Sequence, residues 1–165
     1  MKHSRCKWVL LVLAAALGSS GNAGGQNGVP LASDLRREAG QAEAACIPLL
    51  LEFATDYCEY CVLLEEEVLK PILLNRDYDQ RVLVRKLTLD RAAKLRDFDG
   101  HRVSAAALAE RYRISVTPTL VFVDGRGHEL ADRMVGVTTL EFYGGYLDQA
   151  LDAASERLRE RKRCR

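Results

Sequence analysis

The sequence predicts an α/β fold, a small mixed sheet covered on both faces by helices, and three observations lead there. PLLLEFA (48–54) is a short, continuous apolar run bounded by Pro48 and Thr55-Asp56, the pattern of a strand buried on both faces. A helical pattern follows it and leads to RVLVRKLTLD (81–90), β-branched and alternating, so a crossover helix joins two parallel strands. TLVFV (119–123) and HELADRMV (128–135) flank DGRG and read as an antiparallel hairpin, which makes the sheet mixed.

The remaining elements follow in order. Asp34 caps a helix running to about Ala45, with Leu35, Ala39 and Ala42 on one side. A helix starts at Cys58, with Leu64, Val68 and Ile72 at helical spacing, and Pro71 should kink it or end it near there. SAAALAERY (104–112) is a short alanine-rich helix. From Thr139 to about Arg161, Leu140, Tyr143, Leu147, Leu151 and Leu158 mark a final amphipathic helix.

The first residues do not belong to this pattern. Lys2, Arg5 and Lys7 precede the apolar run WVLLVLAAAL, and small polar residues follow. That is the plan of a cleavable signal peptide over residues 1–23. An uncleaved membrane anchor is the alternative, although a span needs about 20 apolar residues. Residues 24–33, rich in glycine and polar side chains, read as a flexible linker, and residues 34–165 form one domain. Export implies a periplasmic location, where disulfides persist.

With 24 basic and 23 acidic side chains, the net charge of +1 offers no long-range field to nucleic acid or to an anionic surface. The basic tail RLRERKRCR (157–165) is mixed with acids and extends a solvated helix. No cofactor is expected.

The chemistry concentrates in LLLEFATDYCEYC (49–61). Cys58 falls at the first turn of a helix, where free backbone N–H groups and the helix dipole favour thiolate, the attacking species. Cys61 lies three positions on, on the same helical face and about 5–6 Å away at the β-carbons. It can attack a mixed disulfide formed at Cys58 and release the partner. A Cys-x-x-Cys is also half of a zinc site, but that needs two more ligands, and His101 and His128 stand alone.

Glu52 sits in the middle of the buried strand. Cys61 lies deeper than Cys58 and must gain or lose a proton during exchange; a carboxylate beneath it can relay that proton. Lys86, on the neighbouring strand, is the expected counter-charge. The other reading has both side chains facing water, and the flanking Leu50, Leu51 and Phe53 oppose it.

LLLEFATDYCEYC, RKLTLD, RYRISVTPTLVFVDGRGHE and MVG occur in this order and spacing, and together they resemble thioredoxin over roughly residues 47–152. The resemblance implies a four- or five-stranded sheet, a buried acid at Glu52 with a paired lysine at Lys86, and a cis bond between Thr117 and Pro118 facing the cysteines. Such a bond would turn the backbone of Thr117 outward, where an extended substrate could pair with it as an added strand. Gly136 matches the glycine that lets substrate approach closely.

There are departures from the family pattern. Tyr57 replaces the usual Trp before the first cysteine, and Glu59-Tyr60 replaces Gly-Pro between the two. A Tyr in the second slot resembles glutaredoxins and periplasmic disulfide isomerases. The run VLKPILLNRDYDQRVLV and the insert RAAKLRDFDGHRV (91–103) are similar to exported thioredoxin-like proteins, including those encoded with sulfur-oxidation systems. Tyr57, Glu59, Tyr60, Thr117, Pro118 and Gly136 are the expected substrate-binding residues. The chain has no room for the isomerases' dimerisation domain or the periplasmic oxidase's helical insert, which favours a monomeric reductase.

Asp56 and Glu59 bracket Cys58, and nearby negative charge disfavours a second anion, giving a reducing couple. The expected function is reduction of disulfides in exported proteins, recharged by a membrane thiol reductase. An oxidase or isomerase using the same cysteines and a non-catalytic binding module remain the alternatives. A Cys46–Cys164 bridge and a free Cys164 in a frayed tail both stay open.

Overall fold

The computed structural model describes residues 28–161; the expected signal peptide, the start of the linker and Cys164 lie outside the described residues. Helix α1 (Leu35–Ala44) begins at Asp34, whose side chain accepts the Arg37 N–H at 3.0 Å. Strand β1 (Leu49–Ala54) is buried at every position. After the cysteines come α2 (Glu59–Leu64), a π-helical turn (Glu65–Leu69) and α3 (Lys70–Leu74). Then follow β2 (Leu83–Thr88), β3 (Lys94–Arg96), β4 (Arg102–Ser104), α4 (Ala105–Arg111), β5 (Thr119–Val123), β6 (Met134–Val135) and α5 (Leu140–Glu160).

The fold is the thioredoxin-like α/β arrangement that the resemblance implied, with a four-stranded mixed sheet ordered β2-β1-β5-β6. β1 runs parallel to β2 and antiparallel to β5, and β6 is antiparallel to β5. Side chains alternate across β1. Leu49, Leu51 and Phe53 join the core beneath α1 and α4. Leu50 joins Val84, Leu120 and Phe122 in the core beneath α2, α3 and α5. By the same alternation, Glu52 and its register partner Lys86 face the second of these layers, the one containing the cysteine helix. Each fully buried Leu or Phe contributes on the order of 2 kcal/mol, so both layers are strongly held to β1.

Four details depart from the sequence reading. Pro71 neither ends nor breaks its helix. The π turn directly before it, closed by the Lys70 N–H on the Glu65 carbonyl, widens the helix where a proline has no N–H to give. Residues 28–33 are not a free tether either. Ala32 N–H donates to Lys86 O and Lys86 N–H to Pro30 O, both at 2.8 Å, so this segment runs along the open edge of β2, and Val29 is buried in the core.

The insert at 91–103 contains a separate β3–β4 hairpin, pinned by the buried Asp97, which accepts the His101 N–H at 2.8 Å and Arg111 Nη1 at 3.1 Å. In 128–135 only Met134–Val135 is a strand. Glu129 makes an isolated bridge to Val123, and the chain between loops out as Arg133 reaches back to the Tyr112 carbonyl at 2.7 Å. Among the described residues, no helix is long and apolar enough to cross a membrane.

Candidate active site

Cys58 caps α2 at the C-terminal end of β1. Its carbonyl accepts the Cys61 and Val62 N–H groups, and its sulfur accepts the Cys61 N–H at 3.1 Å. The sulfur therefore sits at the positive end of the helix, as the sequence predicts, and donors already aimed at it favour a thiolate there. Cys58 is half-buried and Cys61 is 1% exposed. The two are joined in a disulfide with Cα atoms 5.2 Å apart.

Tyr57 is 95% exposed, and Tyr60, Val116 and Val135 also stand out to solvent. Glu59 is exposed in the first helical turn. The Thr117–Pro118 bond is cis. Gly136 N–H donates to the Pro118 carbonyl at 2.8 Å, which ties the start of β5 to the end of β6. Gly136 has a φ of +68°, a conformation open to glycine, and a side chain there would meet only empty space, so the glycine serves the backbone turn and leaves the surface clear.

In β1, the strand leading to the cysteines, Glu52 is fully buried, and neither carboxylate oxygen has a hydrogen-bond partner among the described residues. Burial, reinforced by the Glu65 charge and only partly offset by Lys86, pushes its carboxyl up to about 8. Lys86 lies directly opposite Glu52 in the β1–β2 register, as expected, but its ammonium bonds the Glu65 carboxylate instead. Glu65 is four positions beyond Cys61, one turn along the same helical face. That spacing was visible in the sequence; the competition for Lys86 was not. Tyr143, on α5, is also buried with its hydroxyl unpartnered. Its phenol is raised by burial first and by the Glu52 charge second, which places the two groups within electrostatic reach.

The electrostatics beside Cys58 also differ from expectation. Arg91 grips the Asp56 carboxylate through Nε and Nη2, at distances from 2.6 to 3.1 Å. The Asp56 N–H in turn donates to the Asp90 carboxylate at 3.0 Å. Arg91 holds the Asp56 carboxyl below its ordinary value, but the guanidinium cancels most of the field that Asp56 would impose on Cys58. Of the two acids bracketing the cysteine, only Glu59 lacks an ion pair among the described residues. Cys46 is exposed and outside any disulfide formed by the described residues.

Residues 35–151 match the family described as a thioredoxin-like domain. No curated protein sequence matches the chain. Among solved structures, Deadhead, a germline-specific thioredoxin of Drosophila melanogaster, aligns at 20% identity with a TM-score of 0.51, covering 72% of this chain and 96% of that one. Thioredoxin O2 of Arabidopsis thaliana in its oxidised state aligns at 20% identity over 73% of this chain and 91% of that one, with a TM-score of 0.46. Mitochondrial thioredoxin 3 of Saccharomyces cerevisiae aligns at 15% identity and a TM-score of 0.49, over 75% and 93%. With 117 consecutive residues matching the family and the cysteine pair at the tip of β1, the chain belongs to the thioredoxin family, with a site that fits a thiol–disulfide oxidoreductase.

Proposed function

We propose that this protein reduces disulfides in exported proteins by dithiol–disulfide exchange through Cys58 and Cys61. The single observation that carries the reading is the placement of the pair. Cys58 is half-buried at a helix tip amid exposed aromatics, Cys61 is buried behind it, and an unpartnered acid lies in the same layer.

In the reduced protein, the Cys58 thiolate attacks a substrate disulfide, forming a mixed disulfide and releasing one substrate thiolate, which takes a proton. Cys61 then loses its proton to the Glu52 carboxylate and attacks the Cys58 sulfur. The second substrate thiolate leaves, and it is protonated in turn. Two electrons and two protons pass to the substrate, and the enzyme is left with the disulfide seen here. In recharging, a donor thiolate attacks Cys58, and Glu52 returns the proton to the departing Cys61 sulfur. An acid held near pH 8 serves both directions at neutral pH.

Tyr57, Tyr60, Thr117, Pro118 and Gly136 form the substrate-binding surface, and an extended segment pairs along Thr117. Glu59 beside Cys58 supports a reducing couple, because an uncompensated carboxylate disfavours the thiolate and so the dithiol form gives up its electrons more readily. The electron donor is a membrane thiol reductase, the compartment is the periplasm, and the protein works as a monomer. The apolar, positively flanked N-terminal run supports export.

Reduction of insulin disulfides in the presence of a small dithiol tests the activity. Cys58→Ser should abolish it, and Cys61→Ser should trap substrates on Cys58. A redox titration should place the pair closer to about −270 mV than to about −120 mV. Full activity in Cys58→Ser would exclude the mechanism, and a potential near the upper value would reverse its direction.

A further inference from the structure

Around Glu52, the described residues bring together two carboxylates and one ammonium. Four elements contribute titratable groups there: Glu52 from β1, Lys86 from β2, Glu65 from the π turn that continues the cysteine helix, and Tyr143 from α5. Strand β5 contributes only the apolar Leu120 opposite Glu52. Tyr143 is neutral and Cys61 is bonded in the disulfide, so the charge balance rests on two carboxylates and one ammonium. In a region withdrawn from water, ionising both acids leaves an uncompensated anion, and a proton is retained by whichever acid lacks the ammonium. The ammonium is on Glu65, with both side chains largely buried, at 16% and 12% exposure. Glu52 has neither an ion pair nor a hydrogen-bond donor among the described residues, and the Lys86 charge only partly offsets its burial.

We propose that Glu65 is a positioning residue for the proton step at Cys61: by holding Lys86 away from Glu52, it makes Glu52 the acid that keeps the exchangeable proton. The consequence for catalysis rests on the exchange reading above; the assignment of the proton does not. Glu65 itself touches neither the sulfurs nor the substrate. It acts through Lys86, and from the start of the π turn, one turn beyond Cys61, it keeps that ion pair within electrostatic reach of Glu52.

The test is a carboxyl-carbon NMR titration of Glu52 in the disulfide form, where neither cysteine titrates. Glu65→Gln removes the competing charge and frees Lys86 for Glu52, so the Glu52 midpoint should fall by about one unit or more. Lys86→Gln removes the cation that acts on Glu52 among the described residues, so there the midpoint should stay or rise. A loss of packing alone would not move the two variants apart. The pH profile of exchange should shift downward with the Glu52 midpoint in Glu65→Gln. An unchanged or higher midpoint in that variant overturns the proposal, and so does a lowered midpoint with an unmoved exchange profile. Failure of the wild-type chain to reduce insulin would instead remove the function, with the titration still deciding which acid holds the proton.

Discussion

Asp97, in the β3–β4 hairpin, and Glu52, in the middle of β1, both have almost no accessible surface, at 1% and 0% exposure, although Asp97 lies just beneath the surface and Glu52 deep within the sheet. Asp97 accepts the N–H groups of Asp99 and His101 and the Arg111 guanidinium. Burial alone would raise its carboxyl, but these donors outweigh it and hold the group below its ordinary value. Glu52 has no donor among the described residues, and burial raises it to about 8. At the far end of β5, Asp124 follows the Asp97 pattern, accepting the Arg126 and His128 N–H groups and Arg161. Burial therefore does not mark a functional acid. What separates the two regions is depth together with satisfaction: the acid that organises a turn is saturated with donors, whereas the one proposed to exchange a proton is left without them among the described residues.

Breaking the saturated acid should have the largest effect. Asp97→Ala leaves two backbone N–H groups without their acceptor and should cost about 3 kcal/mol in denaturant unfolding, with exchange activity per folded molecule unchanged. Replacing the unsatisfied acid should work in the opposite direction. Because the folded protein holds the Glu52 proton up to about pH 8 and the unfolded chain releases it near 4.5, the folded state binds more protons between those values. The Glu52 contribution to stability is thus fully present below about pH 4.5 and is lost as pH rises through 8. Glu52→Leu should remove that decline, gaining roughly 2 kcal/mol at pH 9 and little at pH 4, while slowing exchange. Unfolding curves at the two pH values check the sign.

The smallest effect concerns the open side of the site. Arg91→Gln uncovers the Asp56 charge two residues before Cys58. It should raise the midpoint of Cys58 alkylation by about half a pH unit, and more at low salt than at high. A midpoint that stays put would mean that Glu59 and the helix end alone set the reactivity of Cys58.

The positions of the main elements were readable because each depends on neighbours in the chain. The apolar run at 49–54 and the Asp34 cap need only local pattern, and the cysteine helix is announced by its 3.6-residue spacing. The β3–β4 hairpin escaped because its strands are three residues each and are held by Asp97 rather than by an apolar alternation. Residues 28–33 look like a linker because their composition is permissive. They are ordered by an unpaired edge of β2, which composition does not report.

Chain order alone was enough to put two sulfurs at a helix tip and an acid inside the strand before it, since a strand, a turn and a helix start fall within thirteen consecutive residues. Which groups share a charge was settled only once distant segments packed. Lys86 could reach either Glu52 or Glu65, Asp56 could stand free or meet Arg91, and Tyr143 could pack anywhere along an apolar helix face. Electrostatic partners are chosen by distance in space and by what water is excluded, and neither quantity exists until the sheet and its two helical layers have closed around them.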